Sequence, residues 1–156
     1  MGASLGTAVA QGIILDDDTI YSTAADEDLV GSADADVFYL GGGLDTVAGL
    51  GGVDSFRFQP SAIGAAASHA TSMEDFSRAA GERLDLSRID AIAATLANDA
   101  FSFIGTAAFG NVAGQLRWTD TGGELVVEGD VSGDGVADLT ILLDAEAPVD
   151  ANWFVL

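Results

Sequence analysis

An acidic residue recurs every nine positions in the first third of this chain. The acids are Asp18, Glu27, Asp36, Asp45 and Asp54, and an apolar residue follows each one two positions later: Ile20, Leu29, Phe38, Val47 and Phe56. Glycines precede several of the acids, among them Gly31, Gly41, Gly43, Gly49 and Gly52. A fixed short period of this kind predicts a repeat architecture, because each unit can bury its apolar residue only against its neighbours.

The pattern resembles the repeat-in-toxin (RTX) nonapeptide G-G-x-G-x-D-x-U-x, a calcium-binding repeat of parallel β-structures. Four glycines expected by that pattern are replaced, by Ser32, Asp34, Leu40 and Leu50. The resemblance implies a mainly all-β fold that begins with a short right-handed parallel β-roll, in which two nonapeptides make one coil. Units eighteen residues apart then stack on the same edge: Asp18, Asp36 and Asp54 on one, Glu27 and Asp45 on the other.

The same resemblance implies a set of calcium ligands. Glycine permits positive φ, so turn carbonyls can point toward a common ion, and calcium takes about six to eight oxygen ligands. The ligands implied are the carbonyls of Gly31, Ala33, Gly42, Gly49 and Gly51 and the carboxylates of Asp36, Asp45 and Asp54. Asp18 and Glu27 lie in degenerate units and are weaker candidates. The alternative is a metal-free solenoid or a set of ordinary Gly-Asp turns.

The charge balance also favours a cation. The chain has 25 acidic and 5 basic residues, a net charge of −20, and all the basic residues are arginines. A field of this sign repels phosphate backbones and anionic lipids, so we expect neither nucleic acid nor a membrane as partner. No apolar run is long enough for membrane insertion. A second explanation of the acidity is adaptation to high salt without calcium sites.

Residues 73–91 and 100–118 resemble the serralysin-type (peptidase M10) C-terminal domain of secreted bacterial proteins. The closing motif appears as Asp75-Phe76, Gly81 and then residues 84–87, Leu-Asp-Leu-Ser. The resemblance assigns Asp75 and Glu82 to the last calcium sites, although Glu82 replaces the usual aspartate. Asp85 or Ser87 is also a suitable N-cap for a helix over 88–92.

Residues 124–143 predict a hairpin around an acidic turn. Asp130, Ser132, Asp134 and Asp138 have the spacing of an EF-hand-like loop, but the bidentate glutamate at its twelfth position is missing and Ile141 stands there. The alternative is a turn stabilised by hydrogen bonds from the aspartates to nearby backbone amides.

The sequence divides into a linker over 1–17, the roll over 18–59 and a β-rich cap with short helices over 60–156. Residues 150–156, DANWFVL, resemble the uncleaved C-terminal signal of type I secretion, and they also suit a final β-strand. No basic residue precedes Arg57, so an N-terminal signal peptide is not expected.

No catalytic constellation is recognisable. There is no cysteine and no HExxH motif, and His69, the single histidine, is expected in a solvated loop. We therefore expect a non-enzymatic, calcium-binding module of a secreted, extracellular bacterial protein, which folds on calcium after passing the type I secretion apparatus. The alternatives are a stand-alone extracellular binding or surface-associated protein, and the appendage of an exported metalloprotease or polysaccharide-active enzyme whose catalytic domain lies in a longer parent.

Overall fold

A computed structural model describes residues 19–64, 69–145 and 148–156. These residues form an all-β fold, which confirms the predicted fold class. The strands are β1 (Thr19–Tyr21), β2 (Asp28–Val30), β3 (Val37–Leu40), β4 (Gly43–Ala48), β5 (Ser55–Phe58), β6 (His69–Met73), β7 (Arg83–Asp85), β8 (Ser102–Phe103), β9 (Gln115–Asp120), β10 (Leu125–Asp130), β11 (Leu139–Leu143) and β12 (Phe154–Val155). Two 3₁₀ turns are also present, at Pro60–Ala62 and Ala151–Trp153.

Successive strands from β1 to β7 alternate between two sheets, as expected when two nonapeptides make one coil. Sheet A has the order β1-β3-β5-β7-β12 and is parallel throughout. Sheet B has the order β2-β4-β6-β11-β10-β9-β8. Phe38 pairs with Phe56 and Leu29 with Val47, so strands eighteen residues apart are neighbours. The stacking inferred from the nine-residue period is therefore the register of β1, β3 and β5 in sheet A and of β2 and β4 in sheet B.

The apolar residue of each repeat forms the core. Phe38, Phe56 and Val47 are completely buried, and the rings of Phe38 and Phe56 stack with centroids 5.2 Å apart. Tilted ring contacts continue from Phe56 through Phe76 to Trp153 near the end of the chain. Because alternate positions of these strands point outward, buried residues alternate with half-buried ones, and β3 and β5 each add a second buried residue, Leu40 and Phe58.

The second half of the chain continues both sheets. Strand β7 extends the parallel stack of sheet A, and β6 pairs in parallel with β4 on one side and with β11 on the other. The predicted hairpin is present as β10 and β11, which pair antiparallel, and β9 adds antiparallel to β10. Strands β11, β10, β9 and β8 thus extend sheet B beyond β6.

The helix considered over 88–92 does not form. The Asp85 carboxylate accepts hydrogen bonds from the amide and hydroxyl of Ser87, and Asp90 accepts one from the Ile92 amide. These local bonds satisfy amides in turns, which competes with helix formation. The first 3₁₀ turn ends at Ala62, and residues 65–68 lie outside the described part. In the ranges that the structure describes, no helix is long and apolar enough to span a membrane.

Candidate metal centre in the roll

Three acidic residues stack at the start of neighbouring strands of sheet A. Asp36, Asp54 and Glu82 immediately precede β3, β5 and β7, and the pairing of those strands places them side by side. The Asp36 amide donates to Asp54 Oδ1 at 2.8 Å, and the Ser32 amide donates to Asp36 Oδ2 at 2.7 Å. All three side chains are buried. Carboxylates from successive coils therefore share one edge of the roll.

The glycine turns lie directly against these carboxylates. A Cβ on Gly31 would stand 2.6 Å from Asp36 Oδ2 and 2.7 Å from the Gly49 carbonyl oxygen. A Cβ on Gly49 would overlap Asp54 Oδ2, and one on Gly51 would lie 3.0 Å from the Ala33 carbonyl oxygen. Oxygens of two successive turns thus converge on a space that only glycine leaves open.

Asp75 reaches back to the same turns from the residues that follow β6. Its two carboxylate oxygens accept the Gly49 amide at 2.9 Å and the Leu50 amide at 2.7 Å. Leu50 adopts a positive φ of 69°, although the repeat pattern has glycine at this position. Asp75 therefore holds the β4–β5 turn in shape.

Burial raises the pKa values on this edge. Desolvation raises the pKa of Glu82 to about 7, and the charges of Asp54 and Asp75 add to the increase. Desolvation likewise raises the pKa of Asp54, with the charges of Asp36 and Asp75 contributing. Asp54 Oδ2 is buried without a hydrogen-bond partner. An unpaired buried carboxylate oxygen is costly, so this edge has an unmet demand for positive charge.

The opposite edge repeats the arrangement with fewer acids. Glu27 immediately precedes β2 and lies beside Asp45 of β4, and the Glu27 amide donates to Asp45 Oδ1 at 3.2 Å. Burial raises the pKa of Asp45 to about 6, with the charges of Glu27 and Asp26 adding to the effect, and Asp45 Oδ2 is buried without a hydrogen-bond partner. Gly42 is buried in the adjoining turn, while Asp18 lies outside the described residues.

These donors suit a hard cation. Every candidate ligand atom is a carboxylate or carbonyl oxygen, as calcium requires, and the orphaned Asp54 Oδ2 lies against the turn at Gly49. Among the described residues, no group of three or more His, Cys, Asp or Glu side chains is placed to hold a metal by side chains alone. Any ion held here therefore depends on the backbone carbonyls of the turns as much as on the acids.

The acidic loop between β10 and β11 has a different arrangement. Asp130 Oδ1 accepts the Gly133 amide at 2.6 Å and Oδ2 accepts the Gly135 amide at 2.9 Å, while Asp138 Oδ2 accepts the amides of Val131 and Ser132. Asp134 accepts the Val136 amide at 2.8 Å. These are the side chain to backbone bonds that the turn interpretation requires, and they occupy carboxylate oxygens that an EF-hand-like loop would direct to an ion.

The last residues are part of the fold. Asp150 caps the 3₁₀ turn by accepting the Asn152 amide, and β12 pairs in parallel with β7. Trp153 and Phe154 are buried, and their rings contact Phe76 and Phe103. The strand considered at this terminus is therefore present.

Comparison with known proteins gives a fold match. No family profile matches the sequence, and no curated protein matches it either. The chain is similar to the AlgE6R3 subunit of a mannuronan C5-epimerase from Azotobacter vinelandii, with a TM-score of 0.55, 18% identity, and coverage of 98% of this chain and 86% of that one. The AlgE6R2 subunit of the same epimerase matches with 17% identity and a TM-score of 0.44, over 87% of this chain and 91% of that one.

The first of these matches shows that the chain shares the overall fold of the AlgE6R3 subunit. The nine-residue pattern alone predicts the two edges of the roll on which the acids lie. The sequence analysis did not identify Asp26 as a residue that links two coils. Its Oδ1 accepts the Leu44 amide, one coil later, at 2.9 Å. The eighteen-residue period could have identified this contact, because Asp26 and Leu44 are eighteen residues apart.

Proposed function

We propose that this chain is a non-catalytic, calcium-binding module of a secreted protein, related to RTX rolls, whose roll folds when calcium is available. The observation that carries the proposal is a pair of buried carboxylate oxygens without a hydrogen bond, Asp45 Oδ2 and Asp54 Oδ2, in a chain of net charge −20. Asp54 Oδ2 also lies directly against the glycine turn at Gly49. No lysine exists to neutralise them. A divalent cation bound by oxygen ligands meets that demand.

The ligands fall into two groups under this proposal. On the sheet A edge they are Asp36, Asp54 and Glu82 with the carbonyls of Gly31, Ala33, Gly49 and Gly51, while Asp75, whose two oxygens already accept backbone amides, supports the turn. On the sheet B edge they are Asp45 and Glu27 with the carbonyl of Gly42. When bound, calcium neutralises the stacked carboxylates. A site at tenfold excess over its dissociation constant adds about 1.4 kcal/mol to stability. Several such sites are comparable with the 5–15 kcal/mol, roughly, of a small domain.

The test is far-UV circular dichroism of the whole chain with chelator, with millimolar calcium and with equal magnesium. We expect strand signal to appear, or the melting temperature to rise by 10 °C or more, roughly, with calcium alone. Sodium chloride at matched ionic strength is the control for salt adaptation. A spectrum and melting curve that ignore calcium, or that follow sodium chloride equally, would overturn the proposal.

The same proposal includes export through a type I secretion apparatus, with residues 150–156 as the signal. The burial of Trp153 and Phe154 supports it in one respect: these two residues become accessible only when the fold opens, which is its state at low calcium under this proposal. The test is secretion of a reporter fused ahead of residues 60–156, compared with the same fusion ending at residue 149. Equal secretion of both fusions would remove the signal from the proposal.

A second candidate is favoured by the fold match. The matching structure is a subunit of an enzyme named for its action on mannuronan, a polysaccharide. Between the two appendage hypotheses, this supports a polysaccharide-active enzyme over a metalloprotease as the parent of the module. The serralysin-type resemblance of residues 73–91 then concerns only the segment that closes the roll. A polysaccharide-modifying domain encoded ahead of this module in the same gene would establish this context. A domain with an HExxH motif at that place would refute it.

A further inference from the structure

The end of the chain is bound to the same loop that carries the outermost acid of the sheet A edge. We call residues 150–156 the C-terminal strap and residues 75–82 the closing loop. The closing loop begins with Asp75, which holds the β4–β5 turn, and ends with Glu82, which lies beside Asp54 on the candidate ion site. The rings of Phe76 and Trp153 join the loop to the strap, with centroids 5.5 Å apart. The strap and the ion site therefore share one short segment of chain.

Arg78 makes a second connection between the strap and the closing loop. Its Nη1 donates to the carbonyl oxygen of Glu82, and its Nη2 donates to Asn152 Oδ1 in the strap at 3.3 Å. A guanidinium is planar and holds its donors in a rigid fork, so two acceptors bound to it are fixed relative to each other. The backbone of Glu82 and the strap are thereby held in one arrangement.

The closing loop is itself organised around Glu82. The Ser77 amide donates to Glu82 Oε2 at 2.7 Å, and the Glu82 amide donates to the Ser77 carbonyl at 3.3 Å. The Gly81 amide donates to the Arg78 carbonyl at 3.1 Å. An ion bound by the Glu82 carboxylate restricts the motion of this loop. A loop that is already ordered loses less entropy when a second partner, here the strap, binds to it.

The other contacts of the strap are few. β12 pairs with β7 at only two positions, and the Leu86 amide donates to the Val155 carbonyl at 2.8 Å. Trp153 and Phe154 contribute the two buried rings. A short terminal segment with so little pairing opens at a lower free energy than the central strands of a sheet. The strap can therefore open while β3 and β5 stay paired.

We propose that Arg78 is a positioning residue that couples ion binding at Glu82 to closure of the C-terminal strap. Because Arg78 contacts the backbone of Glu82, it acts on the site through the loop and is not an ion ligand. Linkage makes the effect reciprocal: an ion at Glu82 favours the closed strap by the factor by which the closed strap favours the ion. This coupling rests on the proposed calcium function and adds to it a local step that is separate from unfolding of the roll.

The test is amide hydrogen exchange of the whole chain in calcium, measured residue by residue by NMR. The Leu86 amide reports the strap, because its acceptor is the Val155 carbonyl, and the Ser55 amide reports the roll, because its acceptor is the Asp36 carbonyl. Asn152→Ala removes the acceptor of Arg78 in the strap. We expect it to accelerate exchange at Leu86 about fivefold, the lower end of the usual coupling between two sites, and to leave Ser55 unchanged.

A double-mutant cycle separates coupling from an ordinary structural contact. Glu82→Gln keeps an acceptor for the Ser77 amide but removes the charge that favours the ion, and it should also accelerate Leu86 about fivefold. If the two sites communicate through Arg78, the double variant should exchange no faster than Asn152→Ala. Independent contacts would multiply to about twenty-five-fold.

Arg78→Gln should behave like Asn152→Ala, and Arg83→Gln is its matched control. Arg83 adjoins Glu82 and is exposed, so its loss changes the charge near the site equally while the link to Asn152 remains. If Arg78→Gln fails to fold, the exposed Asn152 still carries the test.

Three results would overturn the coupling: multiplicative effects in the cycle, equal acceleration at Ser55, or equal acceleration by Arg83→Gln. Circular dichroism of the wild type with chelator and with calcium is read beside them. A calcium-dependent spectrum with any of the three results removes the coupling alone. A spectrum that ignores calcium removes the calcium function, and the coupling with it.

Discussion

Asp54 in the roll and Asp130 in the cap are both almost completely buried, yet their surroundings differ. Asp130 receives backbone amides on both carboxylate oxygens from its own loop. Asp54 receives one amide, from Asp36 a coil earlier, and its other oxygen has no hydrogen-bond partner. A buried acid that its own turn satisfies stabilises the apo chain, whereas one left half satisfied requires a cation or a proton. Similar Asp-Gly sequences thus have different physical roles.

The largest expected effect tests how closely the turns of the roll approach each other. Gly52 has a φ of +100°, and a Cβ there would stand 2.5 Å from the carbonyl carbon and oxygen of Asp34. Gly52→Ala should therefore cost about 3–4 kcal/mol, from backbone strain together with steric overlap. Urea unfolding in calcium measures it.

Gly122→Ala is the control for that variant. Gly122 lies in the β9–β10 turn with a φ of +86° and no atom within 4 Å of the added Cβ. Its cost should be about 1–2 kcal/mol, from backbone strain alone. Equal losses for both variants would mean that contact between stacked turns contributes nothing measurable.

The next effect tests whether the loop of the cap is satisfied without metal. Asp130→Ala leaves the amides of Gly133 and Gly135 without their partners, so we expect a loss of about 2–3 kcal/mol. Urea unfolding should give the same loss in calcium and in chelator. A loss confined to calcium would place an ion in this loop and contradict the comparison.

Asp54→Asn tests the other side of the same comparison. The amide side chain retains an acceptor for the Asp36 amide but removes the charge. In calcium we expect a loss of about 1.4 kcal/mol, the contribution of one site filled at tenfold excess. In chelator the variant should equal or exceed the wild-type stability, since a costly buried charge is gone. The difference between the two melting temperatures decides it.

The smallest effect is the pH dependence of the metal-free chain. The folded-state pKa values of Asp45 and Glu82 are raised to about 6 and about 7, from ordinary values of 3.8 and 4.5. The folded state then binds more protons than the unfolded state between about pH 4 and 7, so stability falls as pH rises through that range.

In chelator, the melting temperature should therefore be a few degrees higher at pH 5 than at pH 7.5, roughly. Asp45→Asn together with Glu82→Gln should flatten this dependence, and Asp130→Asn is the matched control that should leave it in place. A melting temperature that rises with pH in the metal-free wild type would contradict the direction of both pKa shifts.

Much of the roll could be predicted because its information is local and repeated. Asp36 and Asp54 were expected to be neighbours on the nine-residue period alone, and their strands pair in that register. The hairpin of β10 and β11 followed from two apolar runs around a Gly-Asp turn. The metal ligands stay predictions, since carbonyl positions depend on the turn conformation as well as on residue type.

What the sequence by itself determined is the stacking of the repeats, because an inward residue at each unit can be buried only by the same position of the next coil. The tertiary structure alone decided three further features. These are the reach of Asp75 back to the β4–β5 turn, the pairing of β12 with β7, and the gathering of Arg57 and Arg88 around Tyr39. Each of these contacts joins segments separated by irregular connections. The nine-residue period does not predict where the chain lies after such a connection.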